Sequence, residues 1–160
     1  MAHSKGVISY SSQSKKGFFL SHSLPKYPDF DNHRVNITIA PSENYYGQDL
    51  FCVSMSLTEL NKLAYRLLIT RPYVYESNVN FSPQTQYLAD LAGGKSQRVS
   101  NLFQTEDYNP TNSTKVKGIF KNGFENCSIF EDALIQTLKV NLTAETWGRP
   151  LEAPWCHSSW

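Results

Sequence analysis

Apolar and polar positions along the chain sort into short extended runs and two helical stripes. Gly6-Val7-Ile8-Ser9-Tyr10 and Gly17-Phe18-Phe19-Leu20-Ser21-His22 are rich in β-branched and aromatic residues and flank the polar run Ser11-Ser12-Gln13-Ser14-Lys15-Lys16. That pattern predicts a β-hairpin. The prolines Pro25 and Pro28 mark residues 25–31 as loop. Arg34-Val35-Asn36-Ile37-Thr38-Ile39 alternates like a half-buried strand, and Leu50-Phe51-Cys52-Val53-Ser54-Met55 reads as a further, mostly buried one. The clearest helix spans residues 57–70. Ser56 and Glu59 form a capping-box pair at its start, Leu57, Leu60, Leu63, Ala64, Leu67 and Leu68 recur at three and four, and Arg71-Pro72 stops it.

Tyr73-Val74-Tyr75 is expected to be extended, and residues 76–110 to be loops with a short helix over 84–92. Residues 115–120 and Phe124 flank Lys121-Asn122-Gly123, which predicts a hairpin with Asn-Gly at positive φ. Ser128 and Glu131 cap a second helix with Phe130, Ala133, Leu134 and Leu138 on one side, and residues 140–146 alternate like a strand. Strands interspersed with capped helices, without internal repeat or linker, indicate one α/β or α+β domain over residues 1–160.

Composition narrows the function. Apolar residues are 40% and aromatics 13% of 160 residues, enough to build a core. A net charge of +1 excludes a protein that holds nucleic acid by bulk charge alone. The four histidines His3, His22, His33 and His157 add up to four charges in mild acid. No run is long and apolar enough to cross a bilayer, so no membrane partner is expected, and no signal peptide follows Met1. Cys52, Cys127 and Cys156 are an odd set: a free thiol, an intermolecular bond and a partner outside the chain all remain open. Sequons at Asn36, Asn112, Asn126 and Asn141 lean towards the secretory pathway.

Candidate chemistry concentrates near the amino end. Alternation along a strand puts His3 and Lys5 on one face, and a hairpin turning near Gln13 and Ser14 sets Lys5 opposite His22. A lysine holds a phosphate as a point charge, and an imidazole attacks phosphorus or carries a proton. Solvated residues on an exposed strand would show the same pattern. The cluster Tyr45, Tyr46, Tyr73 and Tyr75 offers rings for stacking on bases, yet buried strand tyrosines account for it and are the expectation. His33 beside Arg34 reads as an exposed loop histidine, and Asp107, Glu131 and Asp132 make no convincing metal set.

Four blocks together resemble the deoxyribonuclease II family of the phospholipase D superfamily. They are His3-Ser4-Lys5-Gly6-Val7, then Gly17-Phe18-Phe19-Leu20-Ser21-His22-Ser23-Leu24-Pro25-Lys26-Tyr27-Pro28, Tyr46-Gly47-Gln48-Asp49-Leu50-Phe51-Cys52-Val53-Ser54, and Pro72-Tyr73-Val74-Tyr75. They follow in the family's order over the first half of the chain, with a weaker colinear match from Ile129 to Cys156. The resemblance implies a phospholipase D-like mixed sheet flanked by helices, here incomplete. It implies a secreted or lysosomal endonuclease that cuts DNA at acid pH without metal or other cofactor and leaves 3′-phosphate ends. In that family two His-x-Lys motifs face one another; one histidine attacks phosphorus to form a phosphohistidine, the other protonates the leaving oxygen, and lysines neutralise the phosphate.

Carried over, His3 and Lys5 match the first motif, and His22 a further histidine near the site. Cys52 and Cys156 match half-cystines whose partners lie outside this chain. Phe19 stands where the family commonly has tryptophan. No second His-x-Lys is present, and His157-Ser158-Ser159 carries serine where lysine would stand. The expectation is therefore a fragment or truncated paralogue. It is either an active half-site, with self-association as a way to supply the second motif and a monomer otherwise, or an inactive chain that binds DNA or a protein.

Overall fold

A computed structural model of the chain describes residues 5–24, 29–31, 34–36, 41, 48–78, 82–111, 114–125 and 128–140. The chain divides into two compact units, Met1–Leu60 and Asn61–Trp160.

In the first unit, β1 (Lys5–Ser11) and β2 (Lys16–His22) form the expected hairpin, and β5 (Leu50–Ser56) pairs antiparallel on the far side of β2. Lys15 closes the hairpin turn at φ 56°, where its N–H donates to the Ser11 carbonyl (3.0 Å). The Ser14 N–H donates to Ser11 Oγ (3.2 Å), a side-chain bond that reinforces such turns. Only one face of this sheet is well covered, and that corrects the reading of β5 as mostly buried. Val53 and Met55 are buried, whereas Leu50, Phe51, Cys52 and Ser54 are exposed. A strand in a sheet with one packed face buries alternate residues only.

β5 runs straight into helix α1 (Leu57–Ile69). Glu59 N–H donates to Ser56 Oγ (3.2 Å), as the capping pair requires, and Leu57 N–H donates to the Lys15 carbonyl (2.9 Å). Gly17 is a close-approach position: a Cβ there would lie 2.8 Å from Leu60 Cδ1 and 2.2 Å from the Ser9 carbonyl oxygen. Residues 29–31, expected as loop, instead include β3 (Asp29–Asp31), which pairs with β4 (Arg34–Asn36). A three-residue strand carries too little periodicity to be seen in sequence.

The second unit keeps the helical stripe. Leu63, Ala64 and Leu68 are buried, Leu67 is partly so, and Ile69 is fully buried although the stripe omitted it. The helix ends before Pro72 with Arg71 in the left-handed region at φ 56°. Its last carbonyls are not left orphaned: Gln97 N–H donates to Leu68 O (2.9 Å) and Gly123 N–H to Ile69 O (3.0 Å). A one-turn 3-10 helix (Pro83–Thr85) leads into α2 (Gln86–Ala92), close to the predicted short helix. Asn61 Oδ1 caps it by accepting the N–H groups of Tyr87 (3.0 Å) and Leu88 (3.2 Å).

The predicted Asn122-Gly123 hairpin does not form. β7 (Val116–Lys121) pairs backwards with β6 (Phe103–Tyr108), inside the stretch read as loops. Asn122 is instead a buried plug, donating from Nδ2 to the carbonyls of Val99 (2.9 Å) and Asn101 (3.0 Å) and accepting the Phe124 N–H (3.0 Å). Gly123 is required by space, since a Cβ there would come within 2.4 Å of the Thr70 carbonyl oxygen. On β6, Glu106 receives Lys62 (2.9 Å) and Arg66 (2.6 Å) from α1, and Arg66 also donates to Gln104.

The second predicted helix is a π-turn (Ile129–Leu134) continued by α3 (Ile135–Leu138), with Ala133 buried but Phe130 and Leu138 exposed. Its start is held by Asp132, whose Oδ2 accepts the Ser128 N–H (2.8 Å). The strand expected over 140–146 lies outside the described residues beyond Val140. Helices and sheets both form, as the α/β or α+β class requires, and every strand pair among the described residues is antiparallel. Among the described residues no helix is long and apolar enough to cross a membrane.

Candidate functional site

The hairpin brings two of the three predicted catalytic residues together. Lys5 at the start of β1 is the direct antiparallel partner of His22 at the end of β2, and His22 is in turn opposite Leu50 of β5. Directly opposed residues project from the same face. Lys5, His22 and Leu50 therefore form one row across the end of the sheet. His3, the third predicted catalytic residue, lies outside the described residues.

His22 is only 2% exposed, and neither ring nitrogen has a hydrogen-bond partner among the described residues. Unsatisfied buried nitrogens are costly, and native structures keep them where something other than packing is served. Burial disfavours the imidazolium and holds His22 below the ordinary value of 6.5. The Lys5 ammonium pushes the same way, and the Asp49 carboxylate opposes both.

Asp49 is positioned by a small clamp that the sequence did not reveal. Ser23 Oγ donates to Gln48 Oε1 (2.9 Å) and accepts the Asp49 N–H (2.9 Å), while the Ser23 N–H donates to the Asp49 carbonyl (3.1 Å). Ser23, Gln48 and Asp49 fall inside the blocks that carry the family resemblance, but nothing in their spacing pairs them. The clamp holds the backbone of Asp49, whose carboxylate acts on the buried imidazole that faces Lys5. Such a trio holds an anion on the lysine, exchanges protons at the imidazole, and limits the local positive charge with the aspartate.

The profile of the deoxyribonuclease II family matches residues 1–159. The chain belongs to the deoxyribonuclease II family. It is 29% identical over 160 residues to deoxyribonuclease-2 of Caenorhabditis elegans, covering 95% of this chain and 40% of that protein. It is 28% identical over 148 residues to cell death-related nuclease 6 of the same organism, covering 91% of this chain and 37% of that one. Against deoxyribonuclease-2-alpha of Sus scrofa, identity is 29% over 154 residues, 92% of this chain and 40% of that protein. The chain thus spans about two fifths of the length of the curated relatives it matches.

Within this deoxyribonuclease II-family chain the other predicted residues are distributed as follows. Cys52 on β5 is exposed with a free thiol, and Cys127 and Cys156 lie outside the described residues. Asn36 ends β4, while Asn112, Asn126 and Asn141 lie outside the described residues, as do His33, His157, Tyr45 and Tyr46. Tyr73 and Tyr75 correct the expectation of buried strand tyrosines. They belong to no described strand and are 80% and 67% exposed, their rings 5.0 Å apart and edge to face.

Proposed function

We propose that this chain carries half of a deoxyribonuclease II-type active site and hydrolyses DNA phosphodiester bonds in acid without a metal ion. The observation that supports it is the register that sets Lys5 against a buried His22 whose ring nitrogens find no hydrogen-bond partner among the described residues. The Lys5 ammonium takes the charge of the scissile phosphate. A neutral histidine attacks phosphorus, an N–P bond forms, and the P–O5′ bond breaks. The 5′-oxygen leaves with a proton from a protonated group. Water then hydrolyses the phosphohistidine and leaves the 3′-phosphate. His3 belongs to this machinery through the His-x-Lys motif.

The depressed His22 value supports acid operation. Burial and the Lys5 ammonium let His22 keep its neutral form to lower pH than an ordinary imidazole does. That fits His22 to the proton-accepting side of the exchange. The four sequons and the family support a secreted or lysosomal setting, and Cys52 is available to a disulfide partner from elsewhere.

A second reading rests on one sequence fact: His3-Ser4-Lys5 is the only His-x-Lys present. In it the chain binds DNA, or a protein, without cutting. Plasmid incubated with the chain near pH 5 in chelator separates the two. Cleavage lost in His3→Ala and His22→Gln supports the half-site; DNA bound but intact supports the second reading. Mass in solution distinguishes a monomer from a pair of copies that supply two motifs.

A further inference from the structure

We propose that Lys62, Arg66 and Glu106 form an acid-set latch that fastens β6 to α1, holding through mild acid and releasing the strand only in stronger acid. The latch lies wholly in the second unit and stands whether or not the chain cleaves DNA.

One carboxylate is shared between two cations. Glu106 Oε1 takes Lys62 Nζ at 2.9 Å, and Glu106 Oε2 takes Arg66 through Nη2 (2.6 Å) and Nε (2.9 Å). Lys62 and Arg66 stand one turn apart on the same face of α1, as neighbours of like charge. Each is also fixed to β6 by a neutral acceptor. Lys62 Nζ donates to the Asp107 carbonyl (2.6 Å), and Arg66 Nη1 donates to Gln104 Oε1. Aromatic rings back both cations: Tyr108 lies under Lys62 (5.3 Å to the centroid) and Tyr65 under Arg66 (5.0 Å). β7 adds no charge on this side, since Glu106 is opposite Gly118, with Val116 and Phe120 on the diagonals. Asp107 alternates to the other face of β6, where Lys117 pairs with it at 2.5 Å and Lys115 adds its charge.

Sharing sets the response to acid. A carboxylate held by two cations keeps its charge to lower pH than a free one. Partial burial pushes the Glu106 value up, but the hydrogen bonds and charges of Lys62 and Arg66 outweigh it and hold the group below its ordinary 4.5. The stabilisation is complete above about 4.5 and is lost as the pH falls through the lower folded-state value. Protonation removes the anion that two like charges share, so both bonds weaken together and the cations repel. The one-to-one pairs nearby are built differently. The Glu106 side chain is 18% exposed, whereas Asp107 is 63% exposed in its pair with Lys117, and Lys95 66% in its pair with Asp90. Solvent screens those pairs and leaves the shared carboxylate as the stronger tie.

The test is a pH titration of the full chain that follows the Glu106 carboxyl by NMR and the protection of the β6 amides by hydrogen exchange. The midpoint is expected below 4.5 in the parent, and it should rise in Lys62→Met with Arg66→Met. At about pH 5, Glu106→Gln keeps the shape and removes the charge, and it should lower protection across Phe103–Tyr108 about fivefold or more. The gap between parent and Glu106→Gln should close as the pH is taken down through the parent's midpoint, where both side chains are uncharged. Circular dichroism matching the parent at neutral pH confirms that each variant is folded, and the parent titration needs no variant. The proposal is overturned by a parent midpoint at or above 4.5, by a midpoint that Lys62→Met with Arg66→Met leaves unmoved, by equal protection in parent and Glu106→Gln at about pH 5, or by loss of β6 protection at a pH where Glu106 is still ionised.

Discussion

Lys5 faces His22 across the β1–β2 hairpin, cation against buried imidazole, with no residue of offset in the register. A slip of one residue would send Lys5 to the opposite face of the sheet. The turn that sets this register, closed by Lys15, is therefore as much a determinant of the site as the two side chains it brings together.

The pH dependence of stability follows from His22. Its folded-state value lies below the unfolded 6.5, so the unfolded chain takes up the proton first as pH falls. The stability contributed by the neutral imidazole is complete above about pH 6.5 and declines as pH drops through that value towards the folded-state value. Urea unfolding of the parent and of His22→Gln across this window should show the parent losing more stability than the variant. Parallel curves would contradict the burial argument.

Ser23 holds Gln48 and Asp49 at the end of β2 with one donated and one accepted side-chain bond. Ser23→Ala is expected to cost about 1 kcal/mol in denaturant unfolding. It should also lower the His22 titration further, because the backbone segment that carries the opposing Asp49 carboxylate loses its anchor.

Asn122→Ala should be the most damaging of the substitutions considered, at roughly 3 kcal/mol. It leaves the carbonyls of Val99 and Asn101 and the Phe124 N–H without their partner in a buried site. Gly123→Ala should cost about 1–3 kcal/mol, because the Thr70 carbonyl is backbone and cannot step aside. Thermal melts check both, and an unchanged Tm for either would contradict the plug.

Lys15→Gly tests the turn. A left-handed lysine stores roughly 1–2 kcal/mol that glycine releases, against ~0.5–1 kcal/mol of extra chain entropy lost on folding. A net gain of up to about 1 kcal/mol is expected in urea unfolding, with the register and the His22 titration unchanged.

Much of this was legible in sequence. The hairpin announced itself because Val7, Ile8, Phe18 and Phe19 flank a polar turn, and α1 because its leucines keep helical spacing behind a serine cap. The Lys5–His22 pairing followed from that hairpin. Tertiary partners were not legible. β6 was hidden because Phe103-Gln104-Thr105-Glu106-Asp107-Tyr108 is polar: Glu106 is answered by Lys62 and Arg66 on a helix some forty residues away, and Asp107 by Lys117 on β7. Asn122-Gly123 carried a strong local turn signal, yet long-range bonds to Val99 and Asn101 outweighed it. Tyr73 and Tyr75 have strand-forming character, but no described strand pairs with them. The Ser23 clamp joins residues 25 and 26 positions apart through a side chain, which no periodicity encodes.

The most direct test of the Lys5–His22 pair is an NMR titration of the His22 imidazole in the parent chain and in Lys5→Met. The account predicts a midpoint below 6.5 in the parent and a rise when the neighbouring ammonium is removed. A midpoint at or above 6.5 that does not move in Lys5→Met would contradict it.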